Sequence, residues 1–176
     1  MKKLALVMFL VVAATTAPVY ASLLGSTVDV KADFPTMGTV FVDGGTHLVD
    51  GSVEWAAGSF PGYNSSLSVQ ITASQIILSF NGTATFFQTA AFNGLDITTL
   101  TGHISSAVID ASSAFNPIGI SLIGNDLFLN YSTVVVGTGQ LSIIDYTGTS
   151  TVPEPAGYLL AAVGLGALAL VRRRAV

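Results

Sequence analysis

The central part of this 176-residue chain predicts an all-β fold, an antiparallel β-sandwich, and three observations lead there. Short runs rich in Val, Ile, Thr and aromatic residues recur along it, separated by Asn-Gly and Asp-Gly pairs. No stretch of the body offers ten residues at helical spacing with a convincing cap. About ten short strands without β–α alternation fit a jelly-roll-like or immunoglobulin-like sandwich, or a flattened barrel. An N-terminal signal helix and a C-terminal transmembrane helix are expected to flank this body.

Residues 1–21 have the layout of a secretory signal peptide. Lys2 and Lys3 precede an apolar stretch from Leu4 to Ala14, which is too short to span a bilayer comfortably. Pro18 interrupts the run, and Val19, Tyr20 and Ala21 precede a cleavage expected between Ala21 and Ser22. Signal peptidase and the Sec translocon are the partners this segment implies.

The body, residues 22–146, then reads as strands over 27–34, 39–42, 47–49, 67–72, 75–80, 84–88, 104–109, 118–123, 126–131 and 140–146. In 67–72 apolar and polar residues alternate, which places Leu67, Val69 and Ile71 on one buried face. The run Leu127, Phe128, Leu129, Asn130, Tyr131 is apolar on both sides, as in an interior strand. Turns are expected at Asp43-Gly44-Gly45, Asp50-Gly51, Asn81-Gly82, Asn93-Gly94 and Gly124-Asn125, because Asn, Asp and Gly adopt positive φ at low steric cost. Residues 147–151 are small and uncharged, and predict a flexible linker.

Composition narrows the function. Much of the 51% hydrophobic content lies in the two terminal segments, so it does not describe the body. From Ser22 to Ser150 the only basic residue is Lys31, against nine carboxylates, a formal charge of −8. Nucleic-acid binding is disfavoured, since phosphate contacts need clustered Lys or Arg. The chain has no cysteine, which removes disulfides and thiol catalysis.

Chemistry-bearing motifs are sparse, and no catalytic residue is assigned. His47 and His103 are the only imidazoles, and Gly119-Ile120-Ser121-Leu122-Ile123 lacks the second glycine of a nucleophile elbow. A hydrolase is the least favoured reading. No His or carboxylate spacing defines a metal site, although Asp43, Asp50, Asp96 and Asp126 lie near Gly or Asn, where loop oxygens could converge on calcium. The segment from Glu54 and Trp55 to Phe60, Tyr63 and Asn64 is the one place where aromatics and polar groups combine as in a sugar-binding face. Trp55 and Tyr63 are therefore the candidate glycan contacts, weighed against a core role for Trp55.

The tail, residues 152–176, is the most specific part of the chain. Val152, Pro153, Glu154 and Pro155 precede an apolar run from Ala156 to Val171, followed by Arg172, Arg173 and Arg174. A helix of that run would cover roughly 24 Å, short of a ~30 Å hydrocarbon core. The three arginines extend its reach by snorkelling and set the orientation with the C-terminus on the cytoplasmic side. Pro153 and Pro155 hold the preceding backbone extended, in a form suited to a protease cleft.

In this order of features the tail resembles the PEP-CTERM sorting signal of Gram-negative bacteria. The resemblance implies recognition by an exosortase, a multi-spanning membrane cysteine protease acting near Pro-Glu-Pro. It also implies passage through an inner-membrane-anchored precursor to the cell surface or exterior, in a setting of exopolysaccharide and biofilm. The body is similar to small PEP-CTERM proteins of unassigned function, through Leu23 to Val28 and Ala91 to Gly94. The expectation is an exported, non-catalytic surface or matrix protein without a cofactor. The alternative is a carbohydrate-binding or adhesive module, with calcium assistance.

Overall fold

Twelve strands make up the described part of the computed structural model, which comprises residues 22–57, 67–82 and 85–150. They are β1 (Thr27–Asp33), β2 (Val40–Leu48), β3 (Val53–Trp55), β4 (Leu67–Ile71), β5 (Gln75–Phe80), β6 (Thr85–Phe86), β7 (Gly94–Thr99), β8 (His103–Ile109), β9 (Gly119–Ile123), β10 (Asp126–Asn130), β11 (Val135–Val136) and β12 (Leu141–Thr149). All pair antiparallel, and there is no helix among the described residues. The expected signal and transmembrane helices lie outside the described residues.

One five-stranded sheet has the order β2-β1-β7-β10-β9, the other β3-β4-β5-β12-β8, and β6 and β11 form a separate pair. Alternation drives the arrangement, because each strand turns its apolar residues to one side. Val28, Val30, Leu95, Ile97, Leu127 and Leu129 of the first sheet join Val69, Ile71, Ile76, Leu78, Ile144 and Tyr146 of the second in a single buried cluster. The two sheets thus share one core, a sandwich-like arrangement. Leu67, Val69 and Ile71 lie on one face as expected, with Val69 and Ile71 fully buried. β10 is an interior strand, also as expected, with Leu127, Phe128 and Leu129 buried.

Several turn expectations require correction. The runs 39–42 and 47–49 belong to one strand, β2, which continues through Asp43-Gly44-Gly45. Asp29 faces Thr46 and Lys31 faces Asp43, so the single residue Val30 of β1 stands opposite both Gly44 and Gly45 of β2, and the glycines form a β-bulge rather than a hairpin turn. Gly45 takes the positive φ of 78° that such a bulge requires, and its N–H donates to Asp43 Oδ1 at 2.9 Å. Asn93-Gly94 likewise is no turn. Gly94 opens β7, an interior strand with no counterpart among the expected runs, and a Cβ there would strike the carbonyl oxygen of Leu129 on β10. Gly124-Asn125 does close a hairpin: Ile123 faces Asp126 in register, and Gly124 has φ 64°.

β3 and β11, three and two residues long, were also not among the expected runs. At the other end, Thr147, Gly148 and Thr149, expected as linker, extend β12 and pair with Ser106, Ile104 and His103 of β8. Small residues fit this position because Gly148 lies directly against the His103 carbonyl, where a Cβ would approach to 2.7 Å. Thr151, the last expected linker residue, lies outside the described residues.

Candidate functional site

The bulge of β2 turns the Gly44 carbonyl toward β3, where the Trp55 indole N–H donates to it at 2.8 Å. The indole also lies against the His47 ring, with centroids 4.3 Å apart at 53°, and Trp55 is 2% exposed. A ring so covered presents no face to a pyranose. The expectation of Trp55 as a glycan contact is therefore corrected: it is a core residue joining β2 of one sheet to β3 of the other. Tyr63, the second candidate contact, lies outside the described residues, as do Phe60 and Asn64.

Next to Trp55 is a buried carboxylate. Glu54 is 7% exposed, and the register of β3 on β4 jumps at it: Val53 faces Gln70, whereas Trp55 faces Val69. The carboxylate takes over one bond of the disturbed ladder, Oε2 accepting from the Ile71 N–H at 2.6 Å. Its second oxygen, Oε1, is buried with no hydrogen-bond partner among the described residues. Burial pushes the Glu54 carboxyl up to about 7, against the opposing pull of the Ile71 amide. The sequence held one signal for this group, an acid between Val53 and Trp55 in an otherwise apolar run.

The first sheet carries a second set of acids. Lys31 binds Asp29 at 2.8 Å and pairs in register with Asp43 on one side and Asp96 on the other. Asp96 is buried within β7, and burial, reinforced by Asp126 and Asp33 and opposed by Lys31, raises its carboxyl to about 6. Asp33 is also buried and raised by burial, while its Oδ2 accepts from the Gly38 N–H at 2.6 Å.

Of the aspartates considered for calcium, Asp50 occupies a turn and accepts from the Ser52 N–H at 2.8 Å. Asp43 lies in the β2 bulge, Asp126 opens β10, and Asp96 lies within a strand rather than in a loop. Among the described residues, no three His, Asp or Glu side chains group so as to hold a metal ion. His47, His103 and Ser121 fall on three different strands, β2, β8 and β9.

The signal-peptidase site is half in view. Ala21 lies outside the described residues, whereas Ser22 is buried, its Oγ accepting from the Leu24 N–H at 3.0 Å. The whole sorting segment, Val152, Pro153, Glu154, Pro155 and Arg172 to Arg174, lies outside the described residues, so its sequence alone identifies it. Residues 151–175 match the PEP-CTERM protein-sorting motif. The match takes in Val-Pro-Glu-Pro, the apolar run and all three arginines. A PEP-CTERM motif is the mark of an exported protein, anchored in the membrane and then processed, with an exosortase as the processing partner. No curated protein and no solved structure matches the chain.

Proposed function

We propose that this chain is a non-catalytic surface or matrix protein whose β-sandwich body is carried out of the cell, cut by an exosortase at Val152 to Pro155, and held with exopolysaccharide. The observation that carries the reading is the PEP-CTERM motif at residues 151–175, placed behind a folded all-β body. Signal peptidase cleavage before Ser22 and a passing stay in the inner membrane, held by the apolar run 156–171, belong to the same route.

The non-catalytic part of the reading is supported by where the body spends its reactive side chains. His47 lies against Trp55, Ser142 shares a buried hydrogen bond of 2.9 Å with Tyr131, and Glu54 serves the Ile71 amide. The matrix role is supported by charge: a body of formal charge −8 stays soluble and repels its own kind, which favours many weak hydrated contacts over a dry interface. Mass spectrometry of the protein from its native host tests the route. The expected mass begins at Ser22 and ends near Pro-Glu-Pro when the exosortase is active, and retains residues 156–176 when it is deleted. Recovery of the intact tail in both strains rejects the reading.

A further inference from the structure

A strand at the edge of a sheet presents a row of backbone N–H and C=O groups with no ladder partner, and proteins blunt such edges with charge, bulges or short length. The two five-stranded sheets have four edge strands, β2 and β9 in the first, β3 and β8 in the second. Three of the four are blunted. β2 is bulged at Gly44 and Gly45 and carries the exposed Asp43. β3 is only three residues long, and the Glu54 carboxylate occupies a ladder position there. β8 carries an extra residue, Ser105, between the pairs Ser106 with Thr147 and Ile104 with Gly148.

β9 has none of these devices. Its five residues keep an unbroken register with β10, and no charged residue occurs from Ala111 to Asn125. Ile118, Leu122 and Ile123 are exposed along it. The nearest carboxylate in register, Asp126 opposite Ile123, lies one strand further in, on β10. In a body of formal charge −8, an uncharged edge of this kind is where a second copy can approach without setting carboxylates against each other. The strand also matches itself. Laid antiparallel across a two-fold axis at Ser121, it sets Ile120 against Leu122 of the second copy. The same axis sets Ile123 against Gly119 of the second copy, where the Cβ position has open space around it.

We propose that β9 is a self-association edge, at which two copies of this chain pair β9 to β9 and join their first sheets into one. The occupant is a second copy rather than an unrelated strand because charge and register both suit β9 to itself. Pairing of this kind goes beyond the export reading and does not depend on it. The net charge of each body opposes the approach over distance, and salt screens that repulsion, so the contact is weak at low salt and strengthens as salt rises.

The test uses the protein purified from its native host after export, followed by sedimentation over a range of concentrations at low and high salt. Ile123→Lys on β9 and Leu48→Lys on β2 each place one positive charge at an exposed edge position, 56% and 60% exposed in the natural chain. Both reduce the net negative charge, so relief of general repulsion would strengthen association in both alike. The expected result is a salt-strengthened dimer that Ile123→Lys weakens about tenfold and Leu48→Lys does not weaken, with the unfolding midpoints of both variants confirming intact bodies. Because the chain has no cysteine, Ser121→Cys reports the register directly. It should form a disulfide-linked dimer under mild oxidant, whereas Thr46→Cys on β2 should not. A monomer at every concentration and salt, a dimer that Ile123→Lys leaves intact, or equal cross-linking of the two cysteine variants overturns the pairing. A monomer whose retention on exopolysaccharide is lost in Ile123→Lys overturns it too, and gives the edge to the glycan.

Discussion

Two residues of β7 show how a single position constrains the first sheet. Gly94 faces Asn130 on β10, and any side chain there would meet the Leu129 backbone, which is fixed between two neighbours and cannot give way. Gly94→Ala is expected to destabilise by about 3 kcal/mol, at the upper end of overpacking effects. Gly119→Ala, at the edge strand β9 with open space around its Cβ position, should change stability by about 0.5 kcal/mol or less. Denaturant midpoints of the two variants test the contrast; equal effects would mean that the close approach at Gly94 is not limiting. Asp96, two residues on, is a liability that depends on pH. Its carboxyl rises from 3.8 to about 6 in the folded protein, so the folded state holds the proton more tightly than the unfolded chain. The stability this contributes is full below pH 3.8 and is lost as pH rises through 6. Asp96→Asn, which keeps the shape and removes the charge, should gain about 1 kcal/mol at pH 7.5 after allowance for solvent screening, and nothing at pH 3.5. A gain of the same size at both pH values would contradict the assignment to charge burial.

At the scale of elements, the β2 bulge and β3 act as one joint between the sheets. The bulge presents the Gly44 carbonyl, Trp55 fills the space and donates to it, and the Glu54 carboxylate repairs the β4 edge beside it. Trp55→Ala is expected to cost about 4 kcal/mol through the cavity it leaves, and Trp55→Phe about 1 to 2 kcal/mol through the lost indole bond and smaller volume. Loss of glycan retention in a Trp55→Ala protein of unchanged unfolding midpoint would restore the sugar-contact role. This joint was hard to read from sequence for physical reasons. Asp43-Gly44-Gly45 has the same local chemistry whether it reverses the chain or bulges a strand, since both need a positive φ; the choice is made by the register against β1. β7 was hidden for a related cause: Asn93-Gly94 looks like a turn, Asp96 breaks the apolar pattern, and the reason for the glycine lies on β10. β4, β5, β10 and most of β12 were legible because their alternation is local. The candidate sites divide the same way. The tail announces itself through features adjacent in sequence, whereas Glu54 and the Ile71 amide it serves meet only after folding.

Over the whole molecule, the folded body and the sorting motif lie closer along the chain than composition suggested. Thr149 is still paired with His103, so only Ser150 and Thr151 separate the last ladder residue from Val152, where the segment proposed for exosortase cleavage begins. The three residue steps from Thr149 to Val152, fully extended, reach roughly 10 Å. A protease cleft that holds Val152 to Pro155 in extended form must therefore approach the end of β12 and β8 closely, or draw Thr147 to Thr149 out of the sheet. Those three residues hold backbone bonds worth about 1 kcal/mol each, small enough to yield locally without unfolding the core. Two changes separate these routes. Deleting Ser150 and Thr151 should slow processing severalfold, because the motif is then pulled against the sheet. Inserting four Gly-Ser residues after Ser150 should restore or raise the rate while leaving the unfolding midpoint of the body unchanged. Processing is followed by the ratio of anchored precursor to mature protein after a pulse of synthesis. Equal rates for the deletion, the insertion and the natural chain would show that the body and the tail are handled independently, and that the extension of β12 through Thr149 has no bearing on sorting.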